Sequence, residues 1–93
     1  EDGLMVVVVS MDSETGEIVA GPDIISRGFV YVRESEGLMD GAREVVLKAL
    51  YECEEKNITS WNFMKNLIKD TLKNYIWQKT KRSPMILPII MEV

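Results

Sequence analysis

The chain opens on Leu-Met-Val-Val-Val-Val-Ser-Met over residues 4–11, where two apolar sets interleave with period two, Leu4/Val6/Val8 and Met5/Val7/Val9. A β-branched run too short for an ordinary helix and apolar on both alternating faces predicts a central strand. Residues 12–17 then collect turn formers, with Gly16 available for a positive φ, before Ile18-Val19-Ala20 resumes an extended pattern. This predicts a hairpin and makes the first two strands antiparallel. Pro22 cannot donate to a ladder, so the second strand is either an edge there or is interrupted before Ile24 and Ile25, and residues 29–32 are candidates to extend it.

From Leu38 the period changes. Leu38, Ala42, Val45, Val46, Ala49, Leu50 and Cys53 recur at helical spacing, with Arg43, Glu44, Lys48 and Glu52 elsewhere on the wheel, which predicts an amphipathic helix. It begins between Ser35 and Asp40, both able to cap, and Gly37 and Gly41 weaken its first turns. Asn57 is placed to end it in a left-handed turn, and Thr59 to cap a second helix, with Ile58 and Phe63 as a hydrophobic staple. That second helix carries an apolar stripe of Trp61, Met64, Leu67, Ile68, Leu72, Tyr75 and Ile76 and stops before Ser83-Pro84. The closing Met-Ile-Leu-Pro-Ile-Ile-Met-Glu-Val is extended again, and Pro88 within it argues for an edge. With the first strand central and the last at an edge, the expected order is 2-1-3, the third strand parallel to the first. The expected class is therefore α+β: a small three-stranded, or four-stranded, mixed sheet with two amphipathic helices on one face, in the order ββααβ, forming a single domain over residues 1–93.

Composition narrows the chemistry. The 93 residues are 46% hydrophobic and 28% charged, the balance of a folded domain, with eleven Lys and Arg against fifteen Asp and Glu for a net charge of −4. Electrostatic attraction to a phosphate backbone must then come from a local basic patch. The single cysteine, Cys53, among apolar neighbours reads as the reduced, buried thiol of a cytoplasmic protein. No apolar run approaches the roughly 18 residues that span a bilayer, and no basic-then-apolar leader precedes Leu4, so neither membrane nor export is expected. The chain starts at Glu1 without an initiator methionine and enters a strand at once, as expected of a piece of a longer protein.

Candidate chemistry is sparse. With no histidine, one cysteine and no Gly-rich phosphate loop, nucleophilic and metal-dependent mechanisms lack their usual parts. Asp12, Glu14 and Glu17 crowd one hairpin and could hold a hard cation, although acid-rich turns are commonly just solvated. Arg27-Gly28-Phe29 with Tyr31 and Val32 partly matches an aromatic RNA-recognition strand. The match fails at Val30 and Glu34, and that module does not place two strands before its first helix. The bland reading has Gly28 bending the backbone while Phe29 and Tyr31 pack on one face. Arg27, Arg33, Lys79, Lys81 and Arg82 are the candidate RNA contacts. Cations at a helix C-terminus also complement its dipole by about 0.3–1 kcal/mol without any ligand. The most informative feature is an excess of apolar positions: Met85, Leu87, Ile89 and Met91 on one side of the last strand and Ile86 and Ile90 on the other. Two helices on one face cannot cover both sets, so these six are the candidate interface.

The stretch GEIVAGPDIISRGFVYVRESEGL, the two helical segments after it and the terminal TKRSPMILPIIMEV closely resemble the C-terminal domain of bacterial ribonuclease J, over essentially the whole chain. That family belongs to the metallo-β-lactamase superfamily, and its metallo-β-lactamase and β-CASP domains hold a histidine-rich active site, typically with zinc. None of those positions occurs in this sequence. The resemblance implies a parent that degrades and processes RNA by endonucleolytic and 5′-to-3′ exonucleolytic cleavage. It implies for this chain a non-catalytic assembly and support domain, with no cofactor of its own. The implied partners are further copies of the chain, the parent's catalytic domains and, as the parent's substrate, RNA. The alternative is an accessory RNA-binding module that guides substrate through the Arg/Lys patch.

The purified chain is expected to bind no stoichiometric zinc and to cleave no RNA, since it offers one thiol and no imidazole. Metal analysis after dialysis, together with cleavage assays across purification fractions, checks this; metal-dependent cleavage that follows the chain through every step contradicts it.

Overall fold

The computed structural model describes residues 2–28 and 35–93. Its elements are β1 (Leu4–Met11), β2 (Ile18–Arg27), α1 (Ser35–Glu55), α2 (Trp61–Thr80) and β3 (Met85–Glu92). Among the described residues the sheet has three strands in the order β2-β1-β3, β1 antiparallel to β2 and parallel to β3. The expected class, strand order and central strand all hold. Residues 29–32, the candidate extension of the second strand, lie outside the described residues.

The hairpin closes as its residues dictate. The Asp12 carboxylate accepts the backbone N–H groups of Glu14 and Thr15 at 2.8 and 2.9 Å, and Gly16 takes a φ of 76°. Pro22 does not interrupt β2. The strand instead absorbs a register shift, from Val8 opposite Asp23 to Ser10 opposite Ala20. At that shift Gly21 adopts a φ of 90°, and a Cβ there would lie 2.6 Å from the Val8 carbonyl oxygen, so only glycine fits.

Alternation along β1 turns Met5, Val7, Val9 and Met11 toward the helices, all buried. Ile86 and Ile90 of β3 join them, as do the α1 residues Leu38, Ala42, Val46, Leu50 and Cys53 and the α2 residues Met64, Ile68, Leu72 and Ile76. Both helices therefore cover one face, α1 toward β2 and α2 toward β3.

The helix ends include one expectation met and two revised. Asn57, at a φ of 57°, ends α1: its N–H donates to the Glu54 carbonyl and that of Ile58 to the Cys53 carbonyl, the Schellman pattern. The cap of α2 is Ser60 and not Thr59, its hydroxyl accepting the Phe63 N–H at 3.3 Å. That one-residue shift moves the staple positions off Ile58 and Phe63, and Phe63 is exposed. Trp61 is likewise exposed and leaves the apolar stripe, whose buried centre is the i+4 row from Met64 to Ile76, with Leu67 and Tyr75 partly buried against the core beside it. The pattern of apolar residues alone could not tell a first-turn aromatic facing solvent from one facing the sheet.

Gly41 has a role beyond weakening a helix turn. A Cβ at this position would lie 1.9 Å from the Tyr75 hydroxyl oxygen and 2.8 Å from the ring carbon that bears it. The missing side chain is thus the slot into which α2 inserts Tyr75 against α1.

Val46 and Leu72 are fully buried on the facing helices, so replacing either by Ala should destabilise by about 2–4 kcal/mol. Chemical denaturation measures this; unchanged midpoints for both would refute the packing. Gly41→Ala should destabilise by about 1–3 kcal/mol through overpacking against Tyr75. In a Tyr75→Ala background the same change should become neutral or stabilising by up to about 1 kcal/mol, because only helix propensity remains. A double-mutant cycle by denaturation checks the change of sign.

Candidate assembly interface and basic end

Strand pairing places residues that sit opposite one another on a common face, so the register defines the face that the helices leave open. Its rows are Arg27-Leu4-Met85, Ile25-Val6-Leu87, Asp23-Val8-Ile89 and Ala20-Ser10-Met91, each read from β2 through β1 to β3. Leu4, Val6 and Val8 are half-buried by neighbours within the sheet. Met85, Leu87, Ile89 and Met91 are 71%, 49%, 38% and 50% exposed, and Ile25 is exposed on β2, across β1 from them. The open face is therefore a continuous apolar surface across all three strands, with Arg27 and Asp23 as its charged groups on β2.

This divides the six candidate interface residues. Met85, Leu87, Ile89 and Met91 lie on the open face. Ile86 and Ile90, only 6% and 8% exposed, are core residues beneath the helices and are removed from the candidate interface. Period two divides the strand into these two sets, but which set the helices cover is decided by packing. Ile25 and Asp23 were missed, because Pro22 obscured the phase of β2; the pairing with β1 restores it.

The candidate RNA contacts are only partly brought together. Lys79, Lys81 and Arg82 cluster at the C-terminal end of α2, at the end of the sheet where β3 begins. The Lys79 ammonium lies 5.8 Å from the centre of the Tyr75 ring and that of Lys81 lies 5.5 Å from the Trp77 ring, so both cations have partners on their own helix. Lys81 also ends the helix in the left-handed region, its N–H donating to the Trp77 carbonyl at 2.8 Å. Arg27 stands at the same end of the sheet but on the far edge, with β1 between it and β3. Arg33 lies outside the described residues. A cleft of about 750 Å³ between α2 and β3 adds Lys69 and Lys73, but it is also lined by Asp2 and Asp70, and its sign is mixed. The Asp2 carboxylate is engaged there, accepting the Ser83 N–H at 2.7 Å and tying the start of the chain to the turn before β3.

The groups with chemical potential are turned to structural work. The two backbone N–H bonds from Thr15 and Glu14 hold the Asp12 carboxyl below its ordinary range, so the hairpin acid satisfies its own turn. Burial, reinforced by the Glu52 carboxylate, pushes the Cys53 thiol up and disfavours the thiolate. Among the described residues no three His, Cys, Asp or Glu side chains converge as metal ligands would, and no helix is long and apolar enough to cross a membrane.

The family described as Ribonuclease J C-terminal domain matches residues 1–93. Ribonuclease J2 of Bacillus subtilis (strain 168) is 47% identical over 93 residues, which are 100% of this chain and 17% of the relative. Ribonuclease J 2 of Staphylococcus saprophyticus is 44% identical over 94 residues and that of Staphylococcus aureus (strain NCTC 8325) is 41% identical over 93, again 100% of this chain and 17% of each relative. The chain thus spans about a sixth of the length of these relatives. With the match extending over every residue and the ββααβ arrangement in place, this chain belongs to the ribonuclease J C-terminal domain family.

Proposed function

We propose that this chain is the non-catalytic assembly and support domain of a ribonuclease J-type enzyme. The parent would be a metal-dependent, cytoplasmic hydrolase of the metallo-β-lactamase and β-CASP type that degrades and processes RNA, with its metal, zinc by resemblance, held outside these residues. The observation that carries the reading is the open sheet face. Two helices bury one side of the sheet, while Met85, Leu87, Ile89 and Met91 stay exposed on the other, with Ile25 exposed across β1 from them. Contiguous apolar surface of this kind on a small domain is the mark of an association site. Burying it would contribute about 25 cal/mol per Å² before the entropic cost of joining two bodies.

The RNA-binding alternative has less support, since Lys79 and Lys81 are engaged by rings of their own helix and Arg27 is separated from them by the width of the sheet. A phosphate-contacting patch would reveal itself by binding that weakens steeply with added salt.

The two sides of β3 separate the outcomes. Ile86→Lys with Ile90→Lys should unfold the protein, whereas Leu87→Lys with Ile89→Lys should leave it folded and monomeric. Circular dichroism reads folding and light scattering reads mass. A wild-type chain that is monomeric at high concentration would reassign the open face to the remainder of the parent polypeptide.

A further inference from the structure

Charge is unevenly spread along the chain. Six of its eleven Lys and Arg but only one of its fifteen Asp and Glu lie between Trp61 and Arg82, so this segment carries +5 in a chain of net −4. Segregation of this kind favours an anionic partner over the segment. Lys69 and Lys73 are the part of it that lines the cleft between α2 and β3. Both are exposed, and among the described residues the one ion pair joins Arg43 to Asp40, so neither lysine has a carboxylate partner.

The other wall of the cleft is the outer edge of β3. In a parallel pair, alternate residues of a strand direct their backbone groups toward the neighbour. The N–H of Met85 donates to the Gly3 carbonyl and that of Val93 to the Met11 carbonyl, so the odd-numbered residues of β3 face β1 and the even-numbered ones face outward. Ile86, whose side chain is in the core, therefore directs its N–H and carbonyl outward at the cleft, while Pro84 and Pro88, two residues away on either side, bring no donor. A long strand cannot add to such an edge, and two copies of it would set proline against proline. One residue with both groups free suits a single hydrogen-bonded pair of an antiparallel ladder, in which two residues exchange both of their bonds.

An extended guest chain at this edge continues the pleat of the sheet, so its side chains alternate between the helix side and the open face. The residue opposite Ile86 points with it toward the helix side, as does the guest residue two further along. Alternate residues of an extended chain repeat about every 6.7 Å, and Lys69 and Lys73, one helical turn apart, about every 6 Å. Two helix-side positions thus match two ammonium groups, and the position between them lies on the open face, level with the exposed Met85 and Leu87. The pattern that fits is acid, apolar, acid. A phosphate chain fits less well, because it brings a charge at every step while Asp70 lies between the two lysines in sequence and Asp2 also lines the cleft. The start of this chain does not fill the groove, since the Asp2 carboxylate is held on the Ser83 N–H at 2.7 Å at the foot of the cleft, just before β1.

We infer that the cleft between α2 and β3 is a docking groove for a separate protein, which adds a short extended acid-apolar-acid segment antiparallel to the start of β3, its two carboxylates paired with Lys69 and Lys73. The site is distinct from the open face and goes beyond the assembly reading. With one exchanged backbone pair and two exposed ion pairs, the contact is a weak and reversible one.

A designed peptide tests both halves of the contact. Acetylated and amidated Gly-Glu-Leu-Glu-Gly, titrated into the isotope-labelled 93-residue chain in about 0.15 M salt, should shift the amide resonances of Ile86 and Leu87 and of α2 around Lys69 and Lys73. Lys69→Glu with Lys73→Glu should weaken binding about tenfold or more, with circular dichroism melts unchanged because both residues are exposed. The same peptide with Lys in place of both Glu should bind that variant and not the wild type. Methylating the backbone nitrogens of the two Glu residues, which donate to β3 carbonyls, should abolish binding, whereas methylating that of the Leu, which points away, should leave it within a few-fold. No shifts at millimolar peptide, equal affinity in the double variant, or indifference to the position of the methyl groups would overturn the inference. So would salt-dependent binding of a single-stranded oligoribonucleotide that the double variant loses while the peptide gives no shifts, since the lysines would then belong to RNA. None of these outcomes touches the open face, so the assembly reading stands or falls by its own test.

Discussion

Everything in this domain hangs on β1, a strand hydrogen-bonded on both edges and apolar on both faces. It pairs with β2 on one side and β3 on the other, so the sheet cannot form without it. The two halves of its side chains have opposite fates. Met5, Val7, Val9 and Met11 lie under two helices, and Leu4, Val6 and Val8 lie on a surface that nothing within the described residues covers. A three-stranded sheet with helices on one side is a two-layer structure, and a strand apolar on both faces belongs at the centre of three layers. That mismatch is the physical basis of the assembly reading.

The remaining elements serve the covered face. The Schellman turn at Asn57 and the Ser60 cap reverse the chain between the helices within a few residues, bringing the row from Met64 to Ile76 against the same sheet face as Leu38 to Cys53. Tyr75 in the Gly41 slot sets the closeness of the helices, a local contact that no sheet residue supplies. At the other end, Lys81 in a left-handed turn and the Asp2 carboxylate on the Ser83 N–H return the chain into β3 parallel to β1. At these two ends of the crossover, polar groups close turns and caps: the Ser60 hydroxyl, the Asp2 carboxylate and the Lys81 backbone N–H.

Alternation and helical spacing in the sequence by themselves determined the element order, the α+β class, the central position of β1 and nearly all of the α1 core stripe, and the missing N–H of Pro88 marked β3 as an edge. These are local properties: a side chain's direction follows from its place in a period of two or of 3.6. The two sets on β3 were equally legible as sets, Ile86 with Ile90 against Leu87 with Ile89. Only tertiary structure decided which set faces the helices, because that depends on the side from which the crossover returns. The same holds for Trp61 and Phe63, which are apolar by composition yet exposed because the Ser60 cap sets the rotation of α2. Asp23 and Ile25 had no local signal at all. Their place on the open face comes from pairing with Val8 and Val6 across a register shift at Gly21, and register is a relation between strands that neither strand carries alone.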